Sequence, residues 1–229
     1  MTTSLSRRLT AEFLGTLFLL AAITGSGIMA ERLSGGNVDI ALLANSIATG
    51  AALLALILTF GSLSGAHFNP AVSLAQAFRN QLSWSYTFFY ITSQIAGAFV
   101  GVFSAHLMFG LPGFFISRHA RSGYAQIFSE GMATFGLLLV IMCCSRFRAS
   151  TTPHAVAAYI TGAYWFTSST SFANPAVTLA RSVSDTFVGI RPSDVPGFLL
   201  GQFAGLAIAV FLCRWLLPPE ISGGSGEGR

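Results

Sequence analysis

The chain has 229 residues, of which 53% are hydrophobic and only 9% are charged. A soluble domain usually carries about 25% charged residues, so this composition excludes an ordinary soluble enzyme. The basic residues are all arginines and are scattered, so the net charge of +4 forms no basic stripe that would bind nucleic acid. The 3 cysteines lie in apolar segments without histidine or cysteine at metal-ligand spacing, so the sequence predicts neither a metal nor a cofactor.

Long uncharged stretches predict membrane-spanning helices, because one span needs about 20 mostly apolar residues. The six predicted spans cover residues 11–30, 40–60, 84–108, 126–145, 155–170 and 195–217. A further apolar half span follows the second span and again the fifth. The Gly/Ser-rich composition of residues 221–229 predicts a disordered tail.

Each extra half span begins with the same four residues, Asn-Pro-Ala-Val. The two boxes consist of Asn69, Pro70 and Ala71 and of Asn174, Pro175 and Ala176, 105 residues apart. Asparagine is a preferred helix N-cap and proline suits the first helical position, so the boxes predict half-helices over 69–79 and 174–183. A capping asparagine accepts through its oxygen, which leaves its amide group free to donate outward.

Other pairs recur at a similar offset and divide the chain into two repeats. Gln94-Ile95-Ala96-Gly97 matches Gln202-Phe203-Ala204-Gly205, and Glu12 matches Glu130. The sequence predicts a first repeat over 1–122 and a second over 123–220, each with three spans and one half-helix. Because three is odd, the second repeat enters the membrane from the opposite side, which makes an inverted repeat.

These motifs resemble the aquaporin and aquaglyceroporin family. The resemblance rests on the doubled Asn-Pro-Ala box, on a glutamate in spans one and four, and on Ser64-Gly65-Ala66-His67 before the first box. It covers essentially the whole chain and implies an all-α membrane protein with six transmembrane helices and two re-entrant half-helices. It also implies that both half-helix N-termini meet at the bilayer centre, where they repel cations while Asn69 and Asn174 donate to the solute. A homotetramer is a further implication.

Three polar residues inside apolar segments have two interpretations each. Glu12 and Glu130 are either proton-coupling sites or, as the resemblance implies, carboxylates that hold the half-helix loops. His67 is either a packed histidine or, as in the family, part of the inner vestibule. We expect loop support from the glutamates and a vestibule position for His67.

The sequence departs from the family at the selectivity filter. Most relatives have arginine directly after the second box, where this chain has Val177. An ungapped comparison places Thr49, Gly162 and Ser171 at the other filter positions, so the ring contains no aromatic residue, histidine or arginine. We therefore expect a wide filter. Arg181, one turn beyond Val177, is either a displaced pore charge or an arginine that snorkels to the interface.

The sequence predicts a passive channel for small uncharged solutes: polyols, arsenite-like neutral metalloid acids and water. The alternatives are a water-selective aquaporin and a coupled secondary transporter. A serine hydrolase using Ser64 and His67 is disfavoured, because Ser64 is misplaced for a Gly-x-Ser-x-Gly elbow, so no enzyme is expected. The resemblance implies the inner (plasma) membrane with both termini cytoplasmic.

Overall fold

A computed structural model of the chain describes residues 3–217 as helices joined by loops. The eight α-helices are α1 (Leu5–Leu33), α2 (Val38–Ser64), α3 (Pro70–Phe78), α4 (Trp84–Met108), α5 (Tyr124–Phe147), α6 (Thr152–Phe166), α7 (Pro175–Arg181) and α8 (Val195–Leu216). Short 3₁₀ turns, Ala149–Thr151 and Pro192–Asp194, precede α6 and α8. Within the described part of the chain, β pairing is limited to an isolated bridge between Phe115 and Ser184. The predicted tail 221–229 lies outside the described residues.

Six helices are long and two are short, as the aquaporin fold requires. Among residues 3–217, α1, α2, α4, α5 and α8 with its preceding turn are long and apolar enough to cross a membrane. The sixth span, α6, has 15 residues and is extended by the 3₁₀ turn before it. The half-helices α3 and α7 have 9 and 7 residues. The predicted fold class is therefore confirmed.

The half-helices lie inside the bundle. Each of them packs against both α4 and α8, and the two also contact each other. The short helices thus sit where the two halves of the chain meet, and this position brings their polar first turns together.

Most predicted boundaries differ from the observed helices by a few residues, and three differ by four or more. The second span ends at Ser64 rather than at residue 60. The first helix begins at Leu5 rather than at residue 11, and Arg8 in its first turns donates a hydrogen bond to the Tyr90 hydroxyl at 2.6 Å. The fifth span ends at Phe166 rather than at residue 170. The helix stops because Thr167 has an extended backbone, with φ −115° and ψ 138°. The last predicted turn is instead part of a loop in which Thr170 has a positive φ of 60°.

Glycines set the close contact between helices in both halves. A Cβ at Gly97 or Gly101 of α4 would clash with the backbone of Phe13 or Leu17 in α1. In the second half, a Cβ at Gly205 of α8 would clash with the carbonyl of Gly131 in α5. Small residues let membrane helices approach closely, and here the approach brings Glu12 and Glu130 next to the half-helices.

Replacing Gly97 by alanine should therefore destabilise the fold. The added methyl group meets backbone rather than a flexible side chain, and overpacking of this kind costs about 1–3 kcal/mol. Gly61→Ala is the matched control, because a Cβ at this helical glycine has no atom within 4 Å. Thermal unfolding in detergent should show a lower Tm for Gly97→Ala only; equal Tm values for the two variants would contradict this packing.

Candidate functional site

Each half-helix is capped by the asparagine of its own box. Asn69 accepts through Oδ1 from the N–H of Ala71 at 2.8 Å. Asn174 accepts in the same way from Ala176 at 3.0 Å and from Val177 at 3.3 Å. In both cases proline follows at the first helical position, where its missing N–H costs nothing.

The two asparagines also bind each other's loops. The amide nitrogen Nδ2 of Asn69 donates to the carbonyl of Ala173 at 2.8 Å, and that of Asn174 donates to the carbonyl of Phe68 at 2.8 Å. The expectation of a fully free amide group is therefore corrected, since one of its two N–H donors is used by the opposite loop. One N–H per asparagine remains for other partners.

The segments before the two boxes have matching non-helical backbones. Ala66 and Ser171 both have a φ of 50°, while Phe68 and Ala173 have values of 49° and 46°. Left-handed conformations of this kind are costly for residues other than glycine, so they persist only where surrounding contacts hold them.

In the first half, Glu12 supplies those contacts. Its Oε1 accepts from the Ser64 hydroxyl at 2.6 Å and from the N–H of His67 at 3.0 Å. Its Oε2 accepts from the N–H of Phe68 at 2.7 Å and from the Gln94 amide at 2.8 Å. The carboxylate is fully buried, and both of its oxygens are hydrogen-bonded.

Glu130 repeats this arrangement in the second half. Its Oε1 accepts from the N–H of Phe172 at 2.8 Å, and its Oε2 accepts from the N–H of Ala173 at 2.9 Å and from the Gln202 amide at 2.6 Å. In both halves, therefore, Oε1 of the glutamate accepts from the N–H two positions before the box asparagine, and Oε2 accepts from the N–H one position before it.

Sequence reasoning missed the role of two glutamines in this network. Gln94 donates to the hydroxyl of Ser73 on α3 at 2.9 Å, and Gln202 donates to the hydroxyl of Thr178 on α7 at 2.8 Å. Each glutamine thus links a glutamate to a half-helix. Their matching positions in the two repeats are the sequence feature that indicates a shared role for both glutamines.

A cavity of about 170 Å³ lies alongside both half-helices. Its polar lining residues include both box asparagines together with side chains of α2, α3, α6, α7 and the loops before the boxes: Thr49, His67, Asn69, Gln76, Tyr164, Ser171, Asn174 and Arg181. Its remaining walls are mainly aliphatic side chains of α1, α2, α5 and α6. His67 borders this cavity and also a second recess near Arg8.

Three of the four predicted filter residues, Thr49, Ser171 and Val177, line the cavity, but Gly162 does not. Gly162 is exposed, and a Cβ there would have no atom within 4 Å. The structure does not bring Gly162 to this cavity, because the cavity face of α6 carries Val156, Ile160 and Tyr164, while Gly162 lies about half a helical turn from Ile160.

Tyr164 is the residue that α6 contributes instead. Its hydroxyl lies 3.1 Å from Oγ1 of Thr49, and its side chain is buried. The ring of polar residues therefore contains an aromatic side chain, contrary to the expectation from the ungapped comparison. Tyr164 lies one helical turn beyond Ile160 and therefore shares the cavity face of α6.

A second missed residue is Arg121, in the loop before α5. It donates to the carbonyls of Gly189 at 2.8 Å and Ser169 at 3.3 Å, and so ties together the loops on either side of α7. Burial lowers the pKa of its guanidinium, although the Glu130 carboxylate acts in the opposite direction. A single arginine in a loop without a motif gave no sequence signal for this role.

The geometry disfavours hydrolase chemistry. The Ser64 hydroxyl donates to Glu12, and His67 Nδ1 lies 3.0 Å from Ser73 Oγ, so Ser64 and His67 do not form a nucleophile–base pair. Within residues 3–217 there is also no group of three His, Cys, Asp or Glu side chains that could hold a metal ion.

Six spans around two capped half-helices that meet at a cavity define a membrane channel with the aquaporin fold. The model of the family described as "Major intrinsic protein" matches residues 1–212. The chain belongs to this family, and it is therefore an integral membrane channel rather than an enzyme.

Named relatives agree with this membership. The chain is 53% identical over 215 residues to aquaglyceroporin AqpS of Rhizobium meliloti (strain 1021), covering 94% of this chain and 92% of the relative. It is 32% identical over 212 residues to aquaporin NIP1-4 of Oryza sativa subsp. japonica, covering 87% and 72%. The X-ray structure of the aquaglyceroporin from Plasmodium falciparum superimposes with a TM-score of 0.68 at 26% identity, over 93% of this chain and 95% of that one.

Removing the Glu130 carboxylate should destabilise the protein. Glu130→Ala leaves the N–H groups of Phe172 and Ala173 without acceptors, at a cost of about 1–3 kcal/mol each. Glu130→Gln keeps one carbonyl oxygen and should fall between Glu130→Ala and wild type. Folded yield and Tm in detergent measure this order, with Glu31→Ala, at the exposed end of α1, as the control. A Glu130→Ala protein as stable as Glu31→Ala would contradict it.

Proposed function

We propose that the cavity alongside α3 and α7 is the path of a passive channel for small uncharged solutes. The observation that carries this proposal is the reciprocal pair of asparagines at the cavity wall, each holding the opposite loop and keeping one N–H to donate. A solute hydroxyl that leaves water can replace its lost hydrogen bonds with these donors. Both half-helix N-termini start at the same place, so the path disfavours cations.

The hydrogen bonds of Glu12 and Glu130 favour a structural role, in which they hold the loops, over a role in proton coupling. Both oxygens of Glu12 and of Glu130 already accept from backbone N–H groups. Protonation of either carboxylate would remove acceptors from a strained loop, which suits a fixed support better than a proton carrier. This favours a channel over a coupled secondary transporter.

We infer a wide filter from Thr49, Ser171 and Val177, to which the structure adds Tyr164. Without an arginine at position 177, this ring lacks a large charged wall, which supports passage of polyols such as glycerol and of neutral metalloid acids such as arsenite in its uncharged form. The relatives called aquaglyceroporins support glycerol. Water passes by the same path, and a strictly water-selective pore is the less favoured alternative.

The remaining assignments complete the proposal. His67 lines the inner vestibule, since it borders both the cavity and the recess near Arg8. Repeats 1–122 and 123–220 build the two halves, and four subunits form a homotetramer.

The protein lies in the inner (plasma) membrane with both termini cytoplasmic. Under this topology the cytoplasmic side carries more arginines than the outside, in agreement with the positive-inside rule. The cytoplasmic arginines are Arg7, Arg8, Arg79, Arg146, Arg148, Arg214 and Arg229.

Replacing Asn69 or Asn174 by alanine should reduce the flux of every solute. Each change removes one cap, worth about 1 kcal/mol, together with the bond to the opposite loop. Asn37→Ala is the matched control, because Asn37 caps α2 through the N–H groups of Asp39 and Ile40 at an exposed position. Proteoliposome water and glycerol permeability should fall in the box variants alone. Normal conduction in both box variants, at equal incorporation, would refute the proposed path.

Restoring an arginine at position 177 should make the pore more selective for water. Val177 is buried against the cavity, so Val177→Arg must add its volume there. A steric penalty of about 1.4 kcal/mol for glycerol corresponds to a roughly tenfold slower passage, whereas water is smaller and is affected less. Thr49→Phe in addition should lower the glycerol-to-water permeability ratio further. Stopped-flow measurements on both variants test this, and an unchanged ratio in the double variant would place the constriction elsewhere.

A further inference from the structure

Arg181 is the cationic side chain that lines the cavity. It is the last residue of α7, one helical turn beyond Val177, and it is only 2% exposed. An arginine that snorkels to the membrane surface would keep its guanidinium in water, so this degree of burial argues against the snorkelling interpretation.

Contacts on one side hold the Arg181 guanidinium in place. Its Nε donates to the carbonyl of Val188, and its Cζ lies 3.4 Å from the centroid of the Phe172 ring, which gives a cation–π contact. Among residues 3–217, neither Nη atom donates a hydrogen bond and no carboxylate forms an ion pair with Arg181. The outer part of the guanidinium thus keeps its donors and its charge for the cavity.

A second polar group at this end of the cavity also has no protein partner. The Ser171 hydroxyl is buried and makes no hydrogen bond with any described residue, although Ser171 lines the same cavity. A buried hydroxyl without a partner is unfavourable, unless a solute or water occupies the site. Phe172, which follows directly, presents its ring to Arg181.

The loop that carries Ser171 is fixed by Arg121. This arginine donates to the carbonyl of Ser169, and its Cζ lies 5.1 Å from the centroid of the Phe172 ring. Arg121 does not line the cavity, so it acts as a positioning residue for Phe172 and Ser171.

We propose that Arg181 and Ser171, backed by the Phe172 ring, form an outer solute-binding subsite that takes over the task of the missing arginine at position 177. The guanidinium and the hydroxyl bind the hydroxyl groups of a neutral polyol, and the buried positive charge excludes cations. The charged wall of this pore is thus displaced outward by one helical turn, which leaves the level of Val177 wide. This inference rests on the proposed channel function and names the residues that set its selectivity.

The test measures glycerol permeability and proton leak in proteoliposomes that contain the full chain. Arg181→Gln should raise proton leak by about tenfold, because a unit charge in a low-dielectric wall is removed. Arg181→Lys keeps the charge and should leak as little as wild type. Arg118→Gln is the control, since Arg118 is an exposed arginine on an outer loop and does not line the cavity.

A second variant, Ser171→Ala, tests the same subsite if Arg181→Gln does not fold. Ala66 occupies the equivalent position of the first loop with the same φ of 50°, so alanine fits this backbone. Loss of one hydrogen bond to the solute should lower glycerol permeability by about fivefold, and the glycerol-to-water permeability ratio should fall with it.

The outcomes separate the subsite from the channel itself. Wild-type protein that conducts no glycerol contradicts the proposed function. Wild-type protein that conducts glycerol, combined with no added proton leak in Arg181→Gln, overturns the subsite alone. Unchanged glycerol permeability in Ser171→Ala, or leak in Arg181→Lys as large as in Arg181→Gln, also overturns it.

Discussion

Backbone polar groups inside a membrane must find their hydrogen bonds within the protein, and the two loops before the half-helices depend on this constraint. These loops cannot use helical hydrogen bonds, because residues in each of them have positive φ angles: Ala66 and Phe68 in the first, Ser171 and Ala173 in the second. Glu12 and Glu130 accept from their N–H groups instead. Without its carboxylate, each loop would have two backbone N–H groups left without an acceptor.

The pore follows from this support in a few steps. Close packing at the helix glycines places each glutamate beside its loop, and the loop then directs the box asparagine toward the opposite half. Because each asparagine bonds the other loop, the two halves fix each other. The donors that face the cavity are therefore set before any solute arrives, and passive conduction needs no moving part.

The sequence predicted the features that depend on local chemistry or on repetition. The doubled box specifies helix starts through its asparagine and proline, and the lone glutamates recur at matching places. Side-chain direction was harder to predict. Gly162 was assigned by counting residues, but the face of α6 that lines the cavity carries Val156, Ile160 and Tyr164. The contacts of Arg121 join segments about 50 or more residues apart, which no local pattern reveals.

Stopped-flow light scattering on proteoliposomes that contain the wild-type chain tests the central claim most directly. Glycerol entry is measured at increasing glycerol gradients, with and without a proton gradient, and water flux is measured on the same preparation. A passive wide channel predicts that the protein accelerates both fluxes, that glycerol entry rises in proportion to its gradient, and that a proton gradient has no effect. Saturating or proton-driven glycerol entry, or acceleration of water alone, would contradict it.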